Sequence, residues 1–455
     1  MTSFRILLIA LLFGALALWC GPALDAQNEK EAPSNKDLLE RIEALELEVG
    51  DLEQTPPSRP PRTESDSAGE PAAGQSMGAS PGLMGNLGQT TRFSRTFNPA
   101  VGAAIDIIGN RQTGSDSGEH QDRFWLRAAE INLSAQIDPF GYAYVIVEGN
   151  EDHNASIVEA AAVMNRLPAN FSVKAGKILA DFGKFGQRHD HELPFVEKPL
   201  VYYDFVGGSV NSTGVEVHQW FGLTDEIPLR WSAGVYNELE GHGHRIWGGH
   251  GHEHDEVEPY GKRQMDNFAY NGRLTGYGDL SDNSSLQVGA SCLWAPGIQA
   301  FHQDAAGDPV ERWETRQTVA GADVTYKWTD PASRREFILG VEGFKSHGTF
   351  FHEDDEAIEE GDAYGGYAWC EYSWSPYWAA GLMGGAFESA RHDNVGEREL
   401  SSWVTWKISH YNWLRFQYRF NDLERHGDAF GGEDFSEFFV QWIFVFGSHS
   451  HGLDW

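Results

Sequence analysis

Between Gly241 and His254 the chain supplies His242, His244, His250, His252 and His254 among glycines, and Asp255, Glu256 and Glu258 follow at once. Neutral imidazoles beside carboxylates suit Zn(II), Ni(II) or Cu(II). Glycine gives these ligands a flexible backbone instead of a fixed tetrahedron. The expectation is capture of a divalent metal, zinc above all, by His242, His244, His250, His252, His254 and Asp255, with modest affinity and little discrimination. His347 and His352, with Glu353 to Glu356, are similar in kind. The plainer alternative is that His, Gly and Asp only keep an external loop soluble. No cofactor is required, and the metal is weakly bound. No Ser/His/Asp set stands out in the loops, so an enzyme, which would need a nucleophile with an oriented base, is not expected.

A second segment, residues 180–210, reads ADFGKFGQRHDHELPFVEKPLVYYDFVGGSV. A loop bathed in water has no reason to carry Phe195, Val196, Leu200, Val201, Tyr202, Tyr203 and Phe205 so densely. Folded back inside a hollow fold, its apolar side can press against the wall. Lys184, Arg188, His189, Asp190, His191 and Glu192 then become candidates to line a pore constriction, opposite Arg415 and Arg419. Such a ring sets a transverse field and a size limit, two levers of pore selectivity. The alternative is an exposed hydrophobic loop used in partner contacts.

The elements that would position these groups are short strands of period two. Ala129, Ile131, Leu133, Ala135 and Ile137 alternate with Glu130, Asn132, Ser134, Gln136 and Asp138. Leu414, Phe416, Tyr418 and Phe420 alternate with Arg415, Gln417, Arg419 and Asn421, and Val215 and Val217 with Glu216 and His218. About sixteen such strands are expected, with fourteen or eighteen also compatible. Short turns, as at Asp138 to Phe140 and Ser375-Pro376, alternate with long polar connections. That asymmetry predicts an all-β fold: a transmembrane antiparallel β-barrel with its apolar side towards lipid.

The N-terminus agrees. Residues 1–26 carry Arg5, an apolar run from Ile6 to Trp19 and a polar break, the pattern of a secretory signal peptide. The bulky Trp19 argues against a lipoprotein cleavage at Cys20. No other stretch approaches the ~20 apolar residues of a membrane helix, so an exported chain of this kind enters a membrane as a closed barrel. Within 33–54, Leu38, Ile42, Leu45, Val49 and Leu52 follow a heptad seam, predicting a short periplasmic coiled coil. Residues 55–96 are rich in Pro, Gly and Ser and read as a disordered linker, leaving the barrel to 97–455. The expected location is the outer membrane, with the N-terminal segment in the periplasm. The expected partners are outer-membrane lipid and copies of the same chain. Barrels of this kind usually form trimers, whereas Ile or Val with Leu in the seam leans towards a dimer. The coiled coil could also contact the cell wall.

Net charge is −33, and the chain holds 16 Trp and 51 Gly. Interfacial aromatic girdles and a polar lumen account for both. So acidic a chain without a basic patch is no nucleic-acid partner. Cys292 and Cys370 fall on apolar-facing positions of non-consecutive strands and read as buried or lipid-facing thiols.

A resemblance then becomes specific. Lys174-Ala175-Gly176-Lys177, Phe182-Gly183-Lys184, His189-Asp190-His191 and Pro194-Phe195-Val196-Glu197-Lys198-Pro199-Leu200-Val201 resemble the signature region of an outer-membrane porin-like family. That family is often labelled zinc-regulated TonB-dependent outer membrane receptors and is related in architecture to phosphate-selective porins. Phe97-Asn98-Pro99-Ala100-Val101 and the preceding coiled coil are similar too. The resemblance covers residues 97–240 best. It implies an outer-membrane barrel and a link to zinc supply, while a third loop entering the lumen is a recurring device of general porins.

Arg230, Lys327, Lys407, Arg415 and Arg419 share the expected lumen face with Glu130, Glu148, Glu216, Asp323, Glu342 and Glu371. A mixed lumen suits passive diffusion of small hydrophilic solutes or ions with weak selectivity, and an acidic mouth favours cations. The competing expectations are a phosphate- or anion-selective pore and a non-conducting tether or metal-binding barrel.

Overall fold

The computed structural model describes residues 100–113, 122–151, 155–224, 227–237, 268–303, 309–352, 357–388, 396–424 and 435–447. The signal peptide, the coiled coil of 33–54, the linker of 55–96 and the His242 to Asp255 cluster lie outside the described residues. Strands β1 (Ala100–Thr113), β2 (Arg123–Asp138), β3 (Gly141–Gly149) and β4 (Ser156–Met164) come first. They are followed by β5 (Phe171–Leu179), β6 (Asn211–Thr224), β7 (Ile227–Tyr236) and β8 (Ala269–Ser281). The next four are β9 (Ser284–Gln303), β10 (Pro309–Asp330), β11 (Arg335–His352) and β12 (Ala357–Ser375). The last are β13 (Trp378–Glu388), β14 (Gly396–Ser409), β15 (Asn412–Glu424) and β16 (Phe435–Gly447). Each pairs with its chain neighbours, and β1 pairs antiparallel with β16 to close the barrel. The sixteen strands are the number the alternation predicts. A TonB-dependent transporter needs a barrel of about 22 strands, so that part of the family label has no support in this architecture.

Closure removes both sheet edges, and the alternation decides which face meets what. On β2, Glu130, Asn132 and Ser134 are buried inside while Ile131, Leu133 and Ile137 are exposed outside. On β15, Arg415, Gln417, Arg419 and Asn421 point in, and Phe416 and Tyr418 point out. On β6, Glu216 and His218 are buried, whereas Val215 is exposed. A soluble sandwich would reverse this sense. The exposed apolar band carries aromatic residues at both ends. Phe140, Trp374, Tyr377, Trp378, Trp406, Tyr411 and Phe446 ring the short-turn end, where Trp374, Trp378 and Trp406 stack at centroid distances of 6.3 and 5.7 Å. Phe124, Trp294 and Tyr364 are exposed towards the other end. Tyr364 and Trp374 share the outer face of β12 about 33 Å apart along the strand. With a tilt of about 45° this becomes about 23 Å of height, close to the roughly 25 Å apolar band of such barrels.

The short turns are built locally. Asp138 Oδ1 accepts from the N–H of Phe140 (2.8 Å) and Gly141 (3.0 Å), an Asx turn closing β2 onto β3. Asp330 Oδ1 accepts from Ala332 N–H at 3.1 Å in the turn between β10 and β11. One sequence expectation needs correction. The alternation marks strands at about 283–294, 313–328, 335–347 and 362–374, with long connections between 294 and 313 and between 347 and 362. In the structure β9 to β12 extend past those limits, so the β9–β10 and β11–β12 connections are short. Backbone pairing there continues to Gln303 and Pro309 and to His352 and Ala357. Hydrogen bonding sustains a ladder that alternation no longer marks.

Candidate functional site in the barrel interior

The connection between β5 and β6 is the long segment that enters the barrel. Ala180 N–H donates to Val210 O at 2.8 Å and draws its two ends together. Within it lie a 3-10 turn at Asp190–Glu192 and α1, Leu200–Val206. Gly207 ends α1 in the left-handed region (φ 63°), and Gly208 N–H returns to Tyr202 O at 2.9 Å. This is the glycine stop expected where a helix must turn back.

The apolar side of the segment is buried, as its composition requires. Phe182, Phe185, Leu193, Phe195, Leu200, Val201, Tyr202 and Phe205 join one cluster with wall residues Tyr144, Phe344, Tyr367, Trp369, Phe387 and Trp403. Phe185 and Phe195 meet at 5.2 Å, Phe195 and Trp403 at 5.6 Å, and Tyr202 and Phe344 at 5.2 Å, all edge-on. Those wall aromatics occupy inward positions; β11, β12 and β14 also carry polar groups inside, whereas the inner face of β13 is Ala379, Gly381, Met383, Gly385 and Phe387.

A buried loop must also satisfy its backbone. Val196 N–H donates to Gln417 Oε1 at 2.8 Å, and Leu200 N–H to Glu399 Oε1 at 2.8 Å. Lys184 N–H reaches Glu342 Oε1 at 2.9 Å, Gly183 N–H reaches Ser291 Oγ at 3.0 Å, and Asp181 N–H reaches Glu216 Oε2 at 2.9 Å. The Arg415 guanidinium donates to Phe195 O (2.9 Å) and Leu193 O (2.7 Å). Arg127 binds Val196 O and pairs with Asp106, while Arg419 pairs with Glu197. Arg230 donates to Asp181 Oδ2 at 2.6 Å. Wall charges are therefore spent largely on holding the segment.

The predicted constriction residues fall into three groups. Lys184 stands near β9 and β11, its ammonium donating to Gln287 Oε1 at 2.8 Å. His189, Asp190, His191, Arg188 and Glu192 gather on the β2–β4 side. His189 lies 3.4 Å from Glu130 through Nδ1 and 3.2 Å from Glu159 through Nε2. His191 Nδ1 is 3.6 Å from Glu130, and Asp190 is 3.9 Å from Arg127. Arg188 and Glu192, 3.9 Å apart, keep 41% and 18% of their side chains exposed. Arg415 and Arg419 sit on the inner face of β15 but face segment carbonyls and Glu197. Burial pushes the Lys184 ammonium down to about 8, partly opposed by Asp323. Burial would also lower His189, but the Glu130 and Glu159 carboxylates override it and hold the imidazole up at about 10.

Sequence reasoning missed Arg127, Asp181, Glu399 and Gln417 as docking residues. For Arg127, Glu399 and Gln417 the signal is only an inward polar position on a strand, which a pore-lining residue shares, while Asp181 belongs to the segment itself. His347 lies on the outer surface beyond Tyr364, bonded to Asp362 (2.7 Å) and facing Glu360 (3.2 Å), so it belongs to the rim at the end away from the short turns and not to the lumen. Cys292 and Cys370 are half-buried and take part in no disulfide among the described residues.

Fold and interior together define an outer-membrane-type barrel holding an inserted segment. No family model matches the chain. A stretch of 116 residues, 25% of the chain, is 34% identical to an uncharacterized protein of Aquifex aeolicus (strain VF5). That match spans 24% of the length of the Aquifex protein. Among solved structures, OmpT of Vibrio cholerae is similar over 78% of this chain and 100% of its own, at 10% identity and a TM-score of 0.47. The anion-selective porin of Comamonas acidovorans covers 77% and 100% at 7% identity and a TM-score of 0.49. The outer membrane channel DcaP of Acinetobacter baumannii covers 77% and 97% at 11% identity and a TM-score of 0.47.

Proposed function

We propose that the protein is a porin-like channel of the outer membrane through which small hydrophilic solutes and ions diffuse passively, narrowed by residues 180–210. The observation that carries this reading is a closed wall, apolar outside and polar inside, with that segment docked within it. Arg188 and Glu192 keep water contact and line the remaining path with His189, His191 and Lys184 around it. Below them, the Lys327–Glu336 pair (2.7 Å) keeps 49% and 32% side-chain exposure, which suits a wet vestibule. The mixed signs predict weak selectivity, and the net charge of −33 tilts it towards cations. Export through the signal peptide, a periplasmic N-terminal segment and assembly into trimers complete the proposal. Capture of zinc at the mouth by His242, His244, His250, His252, His254 and Asp255 belongs to it as well, supported by composition.

A second reading is favoured by one observation. The dry contact of Phe185 and Phe195 with Trp369 and Trp403 suits a closed barrel that serves as a tether or metal binder. Conductance of the purified full chain in planar bilayers, with reversal potentials in asymmetric KCl, separates the two. Steady steps with mild cation preference are expected. Strong anion preference would favour a phosphate-type pore, and silence would favour the closed barrel.

A further inference from the structure

We propose that Glu130, Glu148, His189 and His191 form a binding site for one borderline divalent cation of the zinc class, clamping the inserted segment to β2 and β3. This site is separate from the external histidines, and it stands whether or not the barrel conducts.

Three features of the geometry support it. First, one ligand atom each from Glu130, Glu148 and His189 lies within 4.8 Å of the others, and all three residues are buried. A tetrahedral Zn(II) with bonds of about 2.0–2.1 Å needs ligand atoms about 3.3–3.4 Å apart. His189 Nδ1 to Glu130 Oε2 is already 3.4 Å, and His191 Nδ1 to the same oxygen is 3.6 Å. The two imidazoles stand side by side, their centroids 5.8 Å apart. His191 approaches Glu130 but stands outside the compact group of three, so His191 and Glu148 both have to turn inward to complete the set, by side-chain rotation.

Second, the outer partners of a metal-bound histidine are in place. His189 Nε2 lies 3.2 Å from Glu159 Oε1, which leaves Nδ1 directed at Glu130. Glu159 is itself fixed by the Tyr144 hydroxyl at 2.8 Å and the Lys174 ammonium at 3.4 Å. A carboxylate that orients a ligating imidazole through its far nitrogen is the usual support of a zinc ligand.

Third, the charge arrangement calls for a cation. Glu130 and Glu148 are directly opposed across β2 and β3, both buried. Like charges opposed on one sheet face repel, more so away from water. A divalent ion between them reverses that term. Two imidazole nitrogens with two carboxylates suit Zn(II), Ni(II) or Co(II), whereas Mg(II) and Ca(II) prefer oxygen alone. The consequence is mechanical. The ion bridges the 3-10 turn of the segment to β2 and β3 of the wall.

The test uses the full chain, stripped with EDTA, in detergent, alongside a variant in which His242, His244, His250, His252 and His254 are all serine. Zn(II) is titrated by calorimetry, and Co(II) by its visible spectrum. The serine variant is expected to keep one equivalent of Zn(II) and to give the intense absorption of four-coordinate Co(II). Adding His191→Ala or Glu148→Gln to it should abolish both signals while the barrel still migrates as folded. Glu159→Gln, which acts only through His189, should weaken binding by about 10- to 100-fold. Loss of all binding in the serine variant alone would overturn the proposal. So would unchanged binding in the His191→Ala and Glu148→Gln variants, or a weak six-coordinate Co(II) spectrum.

Discussion

Gly183 opens the inserted segment at φ 63°, and a Cβ there would lie 2.3 Å from Tyr202 Oη and 2.8 Å from Glu342 Oε1. Only glycine fits both the backbone and the space. Gly183→Ala is expected to cost about 1–2 kcal/mol in backbone conformation alone, and the displaced Tyr202 hydroxyl adds to it. The segment should then be cut by protease at least several times faster than in the wild type, with the barrel itself intact. Equal cutting rates would contradict the docking described. Titration acts on the same segment through two groups of opposite sign. His189 holds its proton up to about 10 when docked, against 6.5 when free. Its contribution is complete below 6.5 and is lost as pH rises through 10. Lys184 titrates at about 8 when docked and 10.5 when free. The docked state therefore binds fewer protons between those values, and docking strengthens across that window. In metal-stripped protein, protease sensitivity of residues 180–210 should rise from pH 6.5 to 8 and then level off. In Lys184→Met the rise should continue to about pH 10. Sensitivity that falls between pH 6.5 and 8 would refute the His189 assignment.

Strands carry the next level. Leu382 stands 56% exposed near the middle of β13's outer face, whereas Trp406 lies in the girdle at the short-turn end. If those faces meet lipid, Leu382→Arg should cost about 2–4 kcal/mol and Trp406→Arg about 0–1 kcal/mol in arginine burial. Urea-dependent folding into lipid vesicles measures both, and equal penalties would be inconsistent with a lipid-facing band. This same division of faces is why β2, β6 and β15 could be read from their residues. One side met acyl chains and the other met polar groups, so each position declared itself. The outer parts of β9 to β12 could not be read, because beyond the lipid the alternation loses its physical cause. Nor could α1, whose Tyr202 and Phe205 pack on Phe344 and Phe387, or the Asp190–Glu192 turn, which lies against Arg127 and Glu130. The inward direction of the segment was legible from Phe195 to Phe205. The roles of Arg415 and Arg419 were not: their face was evident, but their partners are carbonyls and a carboxylate brought from far along the chain.

At the scale of the whole molecule, a strongly acidic chain of low mean hydropathy becomes a membrane protein because polar and apolar residues take opposite sides of one closed sheet. The wall supplies charges, the segment supplies backbone groups and rings, and together they turn a wide cylinder into a narrow one. The most direct test of that account is single-channel conductance of the full chain beside a variant in which residues 184–206 are replaced by a short Gly/Ser linker. Both would be checked for folding by heat-modifiable migration. The account predicts small steps for the wild type and steps several-fold larger for the variant. Equal conductance in the two, or none in either, would contradict it.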